Sequence, residues 1–187
     1  AIGHSARDTF EMLWEKQICM EAKSFAVGVR VEHPQKLINY AQYQMELPKT
    51  LPAASYKVTA QLSNGRGVYS FCMCPGGTVV ASASEAEAIV TNGMSEYARS
   101  QANANSALLV QVRRSDFGEG VLDGMRYQQK LEHQAWILGG SHGQAPCQRI
   151  ADYLNGQASS AFGQVIPSYS RGVTITDLHA LVSPSVN

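Results

Sequence analysis

The sequence predicts an α+β fold, with a curled, mostly antiparallel sheet or small β-barrel of about six strands and a small helical subdomain. Two observations lead to this class. Short segments rich in Val, Thr, Tyr and Ala follow one another from residue 25 to residue 112, and the apolar spacing then lengthens to the helical period after Asp123. A chain of 187 residues that is 44% hydrophobic is large enough to bury a core.

The first segment predicts a strand end followed by a helix. Residues 1–5 have the pattern of a buried strand that turns at Gly3, and RDTFEMLWEKQ then places apolar side chains on one helix face after a capping residue, Asp8. A helix that starts directly after a strand can present backbone amides to an anionic ligand. The alternative is an ordinary strand-to-helix turn, in which His4 and Arg7 are surface residues.

The sheet region begins with FAVGVRVEH, in which side chains alternate with the period of a strand. QKLINYAQY then has helical spacing and ends before a loop that contains Pro48 and Pro52. Turn sequences, including Asn64-Gly65 and Pro75-Gly76-Gly77, separate the remaining predicted strands. These strands are Tyr56–Leu62, Val68–Cys74, Thr78–Ser84, Ile89–Asn92 and Ser106–Val112.

Two helices are predicted after the sheet. The first begins after Asp123 and ends at Gly139-Gly140, and the second runs from Cys147 to Gly156. The final residues predict a linker with a short helix near Asp177–Leu181.

Composition limits the partners that the chain can have. Its 15 basic and 15 acidic side chains cancel, so no overall charge favours nucleic acid or an anionic membrane surface. No apolar run approaches the roughly 18 residues that a membrane-spanning helix needs. The 4 cysteines are few for a disulfide-stabilised domain and predict reduced thiols in a cytoplasmic protein. We therefore expect no nucleic-acid partner and no membrane partner.

The sequence CMCPGG, residues 72–77, has the highest concentration of residues in the chain that can react or bind a ligand. Side chains two residues apart on a strand point to one side, so Cys72 and Cys74 can face the same ligand or metal. A zinc site would need two more ligands, for which His142 and Cys147 are the candidates by residue type. A redox pair would require a strained disulfide ring between cysteines so close in sequence.

A third interpretation of CMCPGG assigns the function to its glycines. The cysteines are then small packing residues, and Gly76 and Gly77 let the backbone approach a planar ligand or another chain where a Cβ would collide.

A polar segment follows the predicted strand that ends at Asn92. Asn92 and Ser95 can hydrogen-bond a ligand, or they can satisfy backbone groups at the start of a helix near Ser95. Arg99 can clamp an anionic substrate or pair with Glu96 at the surface. Three histidines at element ends are predicted to face solvent: His33, His133 and His179.

Seven segments spread over the chain resemble, in order and spacing, a family of uncharacterised FAD-dependent dehydrogenases of bacteria. They are AIGHSARDTFEML, FAVGVRVEH, YSFCMCPGGTVV, VTNGMSEYAR, NANSALLVQV, GGSHGQAPCQRIADYLNG and VIPSYSRGVTITDLH. The resemblance implies a longer parent protein whose FAD-binding domain, of the glutathione-reductase type, is interrupted by an insert that lies over the flavin. The partners of this chain would then be the FAD-binding segments elsewhere in the same polypeptide and an unknown small-molecule substrate.

The resemblance also implies that the chain consists of four parts with different roles in the parent protein. Residues 1–24 would be a remnant of the FAD-binding domain, 25–122 a β-rich insert domain, 123–160 a helical subdomain, and 161–187 a linker back to the FAD-binding domain. The candidate cofactor-binding residues in the parent are Gly3, His4, Ser5, Cys72, Cys74, Gly76 and Gly77, and the candidate substrate-binding residues are Asn92, Ser95 and Arg99. No catalytic residue and no metal ligand is predicted.

FAD itself would be held mainly by the parent. The chain has no G-x-G-x-x-G sequence between a strand and a helix, so we expect this chain alone to bind FAD weakly or not at all. The insert would cover the flavin and shape the substrate pocket, while the flavin supplies the hydride chemistry.

Two other functions fit the same residues. The chain can be an autonomous protein-interaction or ligand-binding module without a catalytic role, whereas a polar pocket at Cys72–Gly77 would favour the covering insert. It can also be a cysteine-dependent enzyme, which requires a histidine within hydrogen-bond reach of Cys72 or Cys74.

Overall fold

A computed structural model describes residues 3–45 and 50–181, and in this part of the chain it confirms the predicted α+β class. The helices are α1 (Arg7–Glu15), α2 (Gln35–Tyr43), α3 (Arg114–Phe117), α4 (Asp123–Leu138) and α5 (Ile150–Leu154), with a 3-10 helix at Leu178–Ala180. The strands are β1 (Phe25–Pro34), β2 (Thr59–Gln61), β3 (Gly67–Cys74), β4 (Gly77–Ala81), β5 (Thr91–Ser95), β6 (Asn103–Val112), β7 (Ala145–Cys147) and β8 (Val173–Ile175).

The strands form three open sheets. The main sheet has four antiparallel strands in the order β1-β6-β3-β2, and β4 pairs with β5 in a separate antiparallel hairpin. A third sheet pairs β7 with β8 in parallel. The described strands therefore follow the curled-sheet form of the prediction and do not close into a barrel.

The main sheet has one apolar and one polar face. β1 and β6 pair over their full lengths, and Val29 lies opposite Leu108 while Glu32 lies opposite Asn105. Since paired residues project to the same side and neighbours along a strand to opposite sides, the valines of β1 share one face. The opposite face, called the polar face here, carries Arg30, Glu32 and Asn105.

A buried amide network holds α2 against the turn between β3 and β4. Gln35 Nε2 donates to Asn39 Oδ1 and to the Ala54 carbonyl, both at 2.9 Å. Gln35 Oε1 accepts from the Gly76 backbone N–H at 2.6 Å. Both polar atoms of this side chain are thus hydrogen-bonded, which is the usual condition for burying an amide.

The apolar core lies between the hairpin, α4 and the parallel β7–β8 pair. Its buried members are Val79, Ile89, Ala135, Ala145 and Tyr169, and Trp136, Val173 and Leu181 pack against them. α4 ends at Leu138, where predicted, and Gly139 is its C-cap residue. A Cβ at Gly139 would overlap the Gln144 carbonyl, so the close approach of the following chain requires glycine there.

Several elements differ from the sequence expectation. Cys147 lies in β7 rather than in a helix, and α5 begins only at Ile150. β5 continues through Ser95, so no helix begins there. β7 and β8 are three residues long and pair across a wide sequence gap, which leaves no periodic signal for either strand.

The N-terminal expectation is only partly within the described residues. His4 and Ser5 form a turn rather than a strand end, and α1 starts at Arg7. Ala1, Ile2 and Pro48 lie outside the described residues. Among the helices of the described ranges, none combines the length and the apolar content that crossing a bilayer would take.

Candidate functional site

The two cysteines of CMCPGG lie on an irregular part of β3. The register with β6 shifts between Phe71 and Cys74, which marks a β-bulge, and Cys72 within it has a φ of +46°. A positive φ is strained for a residue with a Cβ and is held in place by its surroundings. Cys72 is exposed, and the Cys74 thiol donates to the Cys72 carbonyl oxygen at 3.3 Å.

Arg30 of β1 lies over this bulge and connects it to β5 and β6. Its Nη1 donates to Asn105 Oδ1 at 2.6 Å and to the Cys72 carbonyl at 3.3 Å, and its Nη2 donates to Asn92 Oδ1 at 3.4 Å. These five residues, Arg30, Cys72, Cys74, Asn92 and Asn105, are called the Arg30 cluster below. Burial lowers the pKa of Arg30, and the neighbouring Cys74 and Cys72 act in the opposite direction.

Two buried donors of the Arg30 cluster have no partner among the described residues. Asn105 is fully buried, and its Nδ2 makes no hydrogen bond; the same holds for Arg30 Nε. Because Asn105 Oδ1 accepts from Arg30, turning the amide over would place its NH2 group against the guanidinium. The unpartnered Asn105 donor is therefore a consequence of the cluster geometry, and a buried donor of this kind is commonly satisfied by an ordered water or an ion.

Gly93 of β5 lets the hairpin pack on the Arg30 cluster. A Cβ at this position would overlap Asn105 Oδ1 and Arg30 Nη1, and it would lie 2.8 Å from Cys74 Sγ. The cluster thus lies at the contact between the main sheet and the hairpin, with Cys72 and Asn92 on its exposed side.

The predicted residues of the Pro75–Gly77 turn contact one another instead of leaving an open cradle. Gly76 has a φ of +48°, and a Cβ there would overlap the Arg99 carbonyl oxygen. Ser95 Oγ donates to the Pro75 carbonyl at 2.7 Å. The space beside the glycines is filled by the chain itself, so internal packing already accounts for both glycines.

The candidates Gly3, His4 and Ser5 lie at the start of α1, beside α4. Gly3 has a φ of +75° and open space where a Cβ would be, and His4 is exposed. His4 Nε2 lies 3.5 Å from Glu132 Oε1. Their proposed contact with a cofactor remains a prediction.

Arg7 is buried, which corrects the interpretation of this residue as a surface group. Its side chain is only 4% exposed, and it pairs with Glu85 Oε2 at 2.6 Å and Glu132 Oε1 at 2.7 Å. Burial alone would lower the pKa of Arg7, and the two carboxylates together raise it above its ordinary value. This double ion pair attaches α1 to α4.

Glu32 is a polar-face residue that the sequence analysis did not single out. It accepts hydrogen bonds from the Ser168 backbone N–H at 3.0 Å, from Ser168 Oγ at 2.5 Å and from Asn103 Nδ2 at 3.1 Å. Ser168 Oγ also accepts from the Val79 N–H at 2.8 Å. The partner lies 136 residues away, so no local pattern could have indicated this contact.

Histidines do not support a cysteine-dependent enzyme. The hydrogen bonds described for them lead to other groups: His4 to Ser5, His33 to Tyr56, His133 to the Glu87 carbonyl, His142 to the Gly140 carbonyl and His179 to Asp177. His33 is half-buried rather than solvent-facing, since its Nε2 lies 2.9 Å from the Tyr56 hydroxyl. In the described ranges, no group of three or more His, Cys, Asp or Glu is placed to hold a metal.

Two open clefts of the described surface lie away from CMCPGG. One, of about 660 Å³, is lined by residues of and after α1, including Trp14, Ile18 and Met20. The other, of about 500 Å³, is lined by Leu37 and Tyr40 of α2 with neighbouring residues. Neither is the polar pocket at Cys72–Gly77 that would have favoured a covering insert.

Comparisons with known proteins give a family and a relative. A family model described as FAD-dependent protein, C-terminal domain-like, matches residues 24–187. An uncharacterized protein from Clostridium beijerinckii is 52% identical over 182 residues, which is 95% of this chain and 34% of the relative. The chain therefore spans about a third of the length of that curated relative.

Proposed function

The chain belongs to the FAD-dependent protein, C-terminal domain-like family, and from this premise we propose that it covers the flavin in a longer flavoprotein oxidoreductase. In this role residues 25–122 form the insert that shapes one wall of the substrate site. Residues 1–24 and 161–187 connect this insert to the FAD-binding part, and 123–160 form its helical support.

The observation that carries the proposal is the Arg30 cluster. A half-buried guanidinium held by neutral acceptors can orient an oxygen atom of a flavin or of its substrate. Phe71 precedes Cys72 in β3 and Met94 follows Gly93 in β5, and these two apolar side chains are 54% and 60% exposed. Apolar surface beside a polar anchor is typical of a site for a planar ligand.

The described residues can form one wall of an FAD site, but they do not form a complete FAD site. The Pro75–Gly77 turn is filled by Ser95 and Arg99, so it offers no cradle for a pyrophosphate. The exposed side of the Arg30 cluster, where Arg30 Nη2 contacts Asn92, suits an electron-rich oxygen. When bound in the parent, FAD would supply hydride transfer, and these residues would orient and desolvate the reacting groups.

The first test is a titration of FAD, followed by flavin fluorescence, with this chain and with the full-length parent. We expect the parent to quench the fluorescence saturably and the chain alone to quench it weakly or not at all. Tight binding by the chain alone would place the nucleotide site within residues 1–187 and contradict the covering role.

A second test locates the covered face by thiol modification of the full-length parent. Cys72 is exposed in this chain, and the urea-unfolded protein serves as the reference for complete modification. We expect that adding FAD to the apoprotein slows iodoacetamide modification of Cys72, as read by mass spectrometry of peptides. Equal rates with and without FAD would show that the Arg30 cluster does not face the cofactor.

The interaction module stays a second candidate because of the two clefts. Trp14 and Ile18 of the larger cleft are 50% and 51% exposed, and apolar surface of this kind suits a protein partner. A parent that binds no FAD in the titration would favour this alternative.

A further inference from the structure

Four arginines of the described chain are buried or half-buried, and two of them, Arg30 and Arg113, differ from the others in having no carboxylate partner. The Arg113 guanidinium donates to the Gly65 carbonyl at 2.6 Å. Arg7 pairs with Glu85 and Glu132, and Arg66 pairs with Asp116 through two nitrogens at 2.7 Å. Arg30 takes part in none of the ion pairs of the described residues, and its hydrogen bonds go to two amide oxygens and a backbone carbonyl.

Charged groups near Arg30 do not replace the missing partner. Glu32 lies on the same face, but its oxygens already accept from Ser168 and Asn103. The Cys74 thiol donates to the Cys72 carbonyl at 3.3 Å. A half-buried cation on which the nearest carboxylate, Glu32, acts only through space is incompletely compensated, so the Arg30 cluster has a free-energy reason to take up an anion.

The cluster also has a direction from which an anion can approach. Cys72 and Asn92 are exposed, whereas Asn105 is fully buried. The contact of Nη2 with Asn92 Oδ1, at 3.4 Å, is the longest of the three hydrogen bonds of Arg30. An incoming oxyanion can displace this weak contact and bind the guanidinium fork from the Asn92 side.

We infer that Arg30 binds an oxyanion, a carboxylate or a phosphate, at the Asn92 side of the Arg30 cluster. This inference rests on the proposed function for the identity of the ligand, which would be an anionic substrate or a phosphate of the cofactor. Binding by the cluster itself does not require FAD and is tested without it.

The test is a ¹⁵N–¹H NMR titration of the arginine side chains of this chain with sodium acetate and, separately, with sodium phosphate. Sodium chloride keeps the ionic strength constant. The Arg30 Nε–H signal is assigned as the one that Arg30→Gln removes, and Arg126→Gln is the matched surface control because that side chain is 66% exposed. We expect a saturable shift of the Arg30 signal in the wild type and in Arg126→Gln.

The two probes distinguish the sources of the oxyanion. A response to acetate alone indicates a carboxylate substrate, a response to phosphate alone indicates a phosphate group, and a response to both indicates the shared chemistry. No saturable shift with either probe, or an equal shift on replacing acetate with chloride, would overturn the inference.

A second variant guards against misfolding as the explanation. Asn105→Asp keeps the shape of the side chain and places a carboxylate against Arg30 as an internal counterion. We expect the variant to keep the backbone amide spectrum and to lose oxyanion affinity at least tenfold. If Asn105→Asp binds acetate or phosphate as tightly as the wild type, the site does not depend on the uncompensated charge of Arg30. This outcome would contradict the inference independently of the FAD titration.

Discussion

Individual arginines attach distant parts of the chain to one another. Arg7 fastens α1 to α4, and Arg66 fastens the turn before β3 to α3 through Asp116. The Asp116 hydrogen bonds and charge raise the pKa of Arg66. Arg30, by contrast, connects β1, β3 and β5 through neutral acceptors, which leaves its guanidinium suited to bind an external group.

Replacing Arg7 with glutamine should destabilise the fold. The substitution leaves Glu132, whose side chain is 14% exposed, without its cation, and breaking such a pair costs about 3 kcal/mol of unfolding free energy. Urea denaturation measures the loss. Arg126→Gln is the control, since its pair with Asp123 is 3.6 Å long and exposed, and should cost less than about 0.5 kcal/mol. Equal losses in the two variants would contradict the role assigned to Arg7.

His33 should make stability depend on pH. Burial lowers the pKa of His33 below its ordinary 6.5, so the unfolded chain binds a proton more readily than the folded one. Stability should therefore fall as the pH drops through and below about 6.5. We expect the loss of unfolding free energy between pH 7.5 and 5.5 to be smaller in His33→Gln than in the wild type. The exposed Arg126→Gln, which removes no group that titrates in this range, should retain the full loss, and a loss unchanged in His33→Gln would refute this assignment.

At the scale of elements, the contact between the hairpin and the main sheet determines the candidate site. β4 and β5 pair from Gly77 opposite Ser95 to Ala81 opposite Thr91, and Gly93 lies in the middle of β5. Because this glycine faces Arg30, Asn105 and Cys74, the hairpin can approach the polar face closely enough to bury them.

Gly93→Ala should weaken this contact. The added methyl group overlaps the side chains of Arg30 and Asn105, and overpacking of this kind costs about 1–3 kcal/mol. Gly67→Ala is the matched control, since a Cβ there meets nothing within 4 Å and the change should stay within about 0.5 kcal/mol. Thermal unfolding compares the two variants, and a Gly93→Ala protein as stable as the Gly67→Ala protein would show that the contact is loose.

Elements with a long periodic pattern were predictable, and short ones were not. β1, α2 and α4 match their predicted positions because alternation or helical spacing extends over many residues. β7 and β8 have three residues each, and their pairing is decided by the packing of α4. The cysteines and Asn92 were predicted as site residues, but Arg30 was not, because in sequence it is an ordinary polar position of an alternating strand.

At the scale of the whole molecule, the family match begins at a later residue than the folded unit does. The family model begins at residue 24, whereas Arg7 of α1 is buried against Glu132 of α4. Removal of residues 1–23 should therefore lower the midpoint of thermal unfolding at least as much as Arg7→Gln does. A shortened chain, 24–187, that unfolds at the same temperature as the full chain would show that α1 is dispensable.

The pairing of β1 with β6 has a consequence for synthesis on the ribosome. Phe25 pairs with Val112, which is synthesised much later, so β1 leaves the ribosome long before its partner strand β6 exists. At translation rates of about 5–20 residues per second, this delay is on the order of ten seconds. During this time the nascent chain displays an unpaired valine-rich strand, which is the kind of segment that chaperones bind and that other nascent chains can join.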